Sequence, residues 1–161
     1  MAIYDTEQLV RDLVTLYKSK LGAEITAINT EKNDFTIPNI NANAWYFQNM
    51  NNEAFSYKRF IVYGLDQTPS AVQSQENNVI DNIEIFIEVV IPDSGEITEE
   101  SIVYQLLRYS RALRQVGFKN FVSFQSEVKL TVSALTPTSF SFEGNMFRAA
   151  GISITAAKTA Y

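Results

Sequence analysis

The sequence predicts an α+β fold in which two amphipathic helices pack on one face of a mainly antiparallel β-sheet. Three observations lead there. Residues 79–93 alternate with period two: Ile83, Ile85, Ile87, Val89 and Ile91 fall on one face, and Glu84, Phe86, Glu88 and Val90 on the other, the pattern of a strand with one strongly apolar side. Two other stretches carry apolar residues at three- and four-residue spacing, each a single helical stripe. Two more alternating stretches close the chain, and consecutive strands of this kind pair most simply as a hairpin.

Taken in order, the first helix opens at Asp5, a good N-cap with Gln8 three residues on. Leu9, Val10, Leu13, Val14, Leu16, Tyr17 and Leu21 form its stripe, Lys18 and Lys20 favour its C-terminal dipole, and Gly22 reads as its stop. Residues 24–30 read as a short strand. Residues 29–52 are rich in asparagine, which favours turns, and read as a loop or arm interrupted by Trp45, Tyr46 and Phe47. Residues 57–63 form the next strand, with Phe60 and Val62 on one face, Ile61 and Tyr63 on the other, and Gly64 at its end. Residues 65–78 carry Pro69 and several glutamines and read as a long polar loop.

The long strand ends at Pro92, which cannot donate to a ladder, and turns through Asp93, Ser94 and Gly95. A second helix follows with Thr98 as N-cap, Glu99 and Glu100 in its first turn, a stripe of Ile102, Leu106, Tyr109, Leu113 and Val116, and Gly117 just past its end. Residues 121–134 put Val122, Phe124, Val128, Leu130 and Val132 on one strand face. Residues 136–145 read as a loop around Pro137 and Gly144. Residues 146–156 place Met146, Ala150, Ile152, Ile154 and Ala156 together, with Arg148 as the exception. The expected order is α-β-β-β-α-β-β, with room for an extra short strand at Trp45, in one domain covering 1–161.

Composition excludes whole classes of chemistry. The chain has no cysteine and no histidine, so disulfides, thiol nucleophiles, thiolate metal sites and histidine general bases are ruled out. Eighteen acids against thirteen bases give a net charge of -5, a poor surface for wrapping phosphate backbones. The opening MAIYDTEQ lacks the basic start and apolar core of a signal peptide. No run approaches the roughly 18 apolar residues of a membrane span, and a soluble protein made in the cytoplasm is expected.

Weighed one by one, the candidate sites read as structure. Glu84 and Glu88 share a strand face, but four residues of strand separate them by about 13 Å, beyond the roughly 5–9.5 Å of a glycosidase pair. Asp93-Ser94-Gly95-Glu96 lacks the alternating oxygen ligands of a calcium loop. Trp45, Tyr46 and Phe47 have no surrounding lysines and arginines, so packing is expected over base stacking. There is no phosphate loop, GxGxxG or nucleophile elbow. No catalytic residue, metal site or cofactor is expected. Arg108, Arg111 and Arg114 lie opposite the stripe of the second helix, either as a solvated face or as a basic strip for docking acids.

The order of elements, and above all the strand NIEIFIEVVIPD leading into ITEESIVYQLLRYSRALRQV, resembles the tail-terminator family of long-tailed bacteriophages. The likeness covers most of the chain and is one of pattern, not of a short signature. It implies a structural virion protein without catalytic residues, a subunit of a hexameric ring around the DNA channel, which caps the tail tube and joins it to the neck and head. It implies as partners sister copies, the tail tube, the sheath in a contractile tail, and neck or connector proteins; DNA passes through without specific binding. An acidic channel wall suits that passage, because it repels phosphate. On this reading Arg108, Arg111 and Arg114 are the first choice for subunit contacts, with Gln67, Gln73, Gln75 and Glu76 of the polar loop as partner contacts. The asparagine-rich stretch is longer than a minimal member needs, which leaves open another neck or head-completion protein (a connector or stopper). A monomeric binding or adaptor domain is the alternative outside viruses.

Overall fold

The structure, a computed structural model, describes residues 6–48, 53–73, 79–95, 97–124 and 128–160. The chain forms α1 (Thr6–Glu31), β1 (Trp45–Phe47), β2 (Phe60–Gln73), β3 (Val79–Pro92), α2 (Glu99–Asn120), β4 (Val128–Ala134), β5 (Thr138–Phe142) and β6 (Asn145–Ala160). The predicted class and order hold: two helices and one mostly antiparallel, mixed sheet. Strand order is β1-β2-β3-β6-β4, and β5 also pairs with β6. Among the described residues, only β1 with β2 is parallel. Since β3 occupies one edge of β6, β4 and β5 lie end to end along the other.

Packing explains the class. The face of β3 bearing Ile83, Ile85, Ile87, Val89 and Ile91 is buried with Ala150, Ile152, Ile154 and Ala156 of β6 beneath the stripes of both helices. Each of these branched side chains contributes about 1.5–3 kcal/mol on burial. Among the expected faces of β2, Ile61 joins this core while Phe60 and Val62 turn the other way. The opposite sheet face is not bare. Phe60, Val62, Val90, Phe147 and Ala149 form a second cluster at one end, capped by Ala44 and Ala54, with Phe140 stacked on Phe147 at 5.5 Å.

The segments that differ from expectation do so for local reasons. α1 does not stop at Gly22, and residues 24–30 are helix, not strand. Leu21, Ile25 and Ile28 extend the stripe at spacings of four and three and are all buried, which outweighs the cost of one mid-helix glycine, about 1 kcal/mol. The predicted N-cap, Asp5, lies outside the described residues. The first strand is therefore Trp45–Phe47. A Cβ at Gly22 would meet only Asn39 Oδ1, at 3.7 Å. Gly22→Ala is accordingly expected to stabilise the protein by about 0.5–1 kcal/mol, measured as a raised urea midpoint at unchanged m.

Residues 57–59 precede β2, and β2 runs through Gly64 to Gln73, so much of the expected polar loop is strand. The length of β3 explains this: it supplies ladder partners from Leu65↔Ile85 to Gln73↔Val79, with register shifts between Leu65 and Gln67 and between Gln67 and Ser70. Pro69 sits within the second irregularity, where a missing donor is tolerated. Gly117 is no cap either. α2 runs on to Asn120, and a Cβ at Gly117 would sit 3.1 Å from both Tyr17 Oη and Val132 Cγ1, so the glycine permits close helix–helix and helix–sheet approach. Phe121–Ser123 is a 3₁₀ turn that leaves Val122 98% exposed, whereas Val128, Leu130 and Val132 do face the helices. The expected loop at 136–145 contains β5, closed on β6 by a two-residue turn in which Glu143 and Gly144 both have positive φ, the type I′ signature.

Candidate functional site

α2 positions the predicted arginines, and its N-cap forms as expected, Thr98 Oγ1 accepting from Ser101 N–H at 3.3 Å. Two of the arginines bind inside the chain. Arg108 donates to both carboxylate oxygens of Asp34 (2.7 and 2.8 Å) and to the Phe35 carbonyl (2.7 Å). Its guanidinium lies 3.7 Å from the centre of the Phe35 ring, and its side chain is only 11% exposed. Arg111 makes a paired contact with Glu31 at 2.9 and 2.7 Å. Arg114 differs: its Nε is buried with no hydrogen-bond partner among the described residues.

The first two contacts fasten the chain between α1 and β1. Far from standing out as an arm, residues 32–44 lie along both helices. Asn29 holds Ile37 through both its side-chain groups, donating to the carbonyl at 2.9 Å and accepting from the N–H at 2.8 Å. Tyr109 Oη donates to the Pro38 carbonyl at 2.6 Å. The hydrogen bonds from Arg108 and Arg111 hold the Asp34 and Glu31 carboxyls below the usual carboxylate range. Burial, the dominant cause, pushes the Tyr109 and Tyr17 hydroxyls far above theirs, so both stay neutral.

Gln67 and Gln73 lie on β2, not in a loop; Gln75 and Glu76 lie outside the described residues. Glu84 accepts from Ser153 Oγ at 2.9 Å on the sheet face away from the helices. Trp45 and Phe47 pack on Tyr63, at ring separations of 6.1 and 5.6 Å, and Tyr46 on Phe60 at 5.9 Å. No group of three or more acidic side chains able to hold a metal occurs among the described residues. No helix among them is long and apolar enough to cross a membrane.

Two apolar surfaces lie apart from the candidates that the sequence offers. On α2, Tyr104 and Leu107 are each 47% exposed and Phe118 is 58% exposed. Positions 104, 107, 111, 114 and 118 recur at threes and fours, so a second stripe, apolar and basic, was legible beside the core stripe. The other surface is a groove of about 620 Å³ between the start of α1 and the β1–β2 edge, walled by Val10, Val14, Phe47, Tyr63 and Leu65, with Glu7 and Arg11 at its mouth. It joins residues far apart in the chain and had no local signal. A shallower concavity of about 510 Å³ on the opposite sheet face is lined mainly by Val62, Phe86, Val90, Phe140 and Phe142.

Charge reversal at Arg111 separates folding from assembly. It breaks a half-exposed pair with Glu31, and exposed pairs contribute little. Arg111→Glu should therefore lower Tm by no more than about 3 °C, with an unchanged circular dichroism spectrum, so any larger loss of assembly reports on contacts between molecules. No protein-family model matches the chain, and no curated protein matches it.

Proposed function

We propose that this chain is a structural virion protein, a tail-terminator-like subunit that closes into a ring at the head-proximal end of a bacteriophage tail. Its task is assembly and involves no turnover. The ring caps growth of the tail tube and presents a face to the neck. The observation that carries this reading is a run of exposed large apolar side chains, Tyr104, Leu107 and Phe118, along the solvent face of α2. Isolated exposed apolar residues are ordinary, but clustered ones mark contacts with other chains. A contact that closes into a ring covers every copy of such a patch. The order of elements supports the tail role through its likeness to the terminator family. The carboxylates of Glu84 and Glu88 on the sheet face away from the helices suit a wall that duplex DNA slides past.

Imaging of particles assembled without this protein tests the role. Over-long tails lacking heads are the expected result. Normally capped tails that fail only to join heads would assign the chain to another neck or head-completion position. In solution the ring is checked by native mass spectrometry, with and without polymerised tube.

A further inference from the structure

We draw no further inference here: the strongest candidate, the groove of about 620 Å³ between the start of α1 and the β1–β2 edge, has apolar walls and a mouth that holds both Glu7 and Arg11, and nothing in the structure shows what covers it.

Discussion

Replacing Gly151 by alanine is expected to destabilise the protein by about 3–5 kcal/mol, lowering Tm by about 10 °C or more. Gly151 sits in the middle of β6 opposite Glu88 of β3. A Cβ built there would overlap the Ile87 carbonyl oxygen and lie 2.6 Å from Glu88 Cα. These are backbone atoms of the central strand, so no rotamer change relieves the clash. β6 cannot retreat either, because the Gly151 carbonyl accepts from Leu135 N–H at 2.9 Å and from the buried Ser110 Oγ at 3.1 Å. The substitution must distort the β3–β6 ladder or release α2 from the sheet. Thermal unfolding checks it, with Ser110→Ala as comparison: that variant loses one hydrogen bond and should cost only about 1 kcal/mol. A Gly151→Ala protein as stable as the wild type would show that the close approach of the two strands is not needed.

Arg108→Ala is the second large effect, expected at about 2 kcal/mol at neutral pH and read as a lowered urea midpoint. The side chain is nearly enclosed, holds the Phe35 carbonyl and stacks on the Phe35 ring. Truncation leaves that carbonyl unpaired and removes a cation–π contact. The loss should appear first as faster amide exchange along residues 32–44, since Arg108 ties that segment to α2. Its pH dependence has a definite sign. Asp34 is held below the usual carboxylate range first by the hydrogen bond from Arg108 and then by that from the Phe35 N–H. A lowered folded pKa contributes stability above the unfolded value, near 4, and that contribution is lost as pH falls through the folded value. The wild-type urea midpoint should fall between about pH 5 and pH 3, and the slope there should flatten in Arg108→Ala and in Asp34→Asn. An unchanged slope in both would remove Asp34 from the acid response.

The alternation 83–91 and the stripe 102–116 were legible because each is longer than local noise, and both emerge on the buried faces they announce. Shorter or mixed signals misled. In 24–30, β-branched residues imitate a strand, yet burial of Ile25 and Ile28 beside α2 makes the segment helix. In 65–73, a polar sequence hides a strand because its ladder bonds come from β3, and backbone pairing leaves no mark on composition. At Gly22 and Gly117, glycines read as stops serve a continuing helix, one tolerated and one required by close packing. The arginines of α2 were visible, but their partners at Glu31 and Asp34 lie 80 and 74 residues away.

The class, the central strand, the core face of α2 and the exclusion of thiol and imidazole chemistry could be read along the chain, because these depend on residue type and on periods of 2 and 3.6. Packing between distant segments set where α1 ends, which arginines are engaged within the molecule, and the groove that joins the start of α1 to β1 and β2. Those outcomes depend on which distant segments compete for the same surface, and spacing along a chain carries no record of that competition.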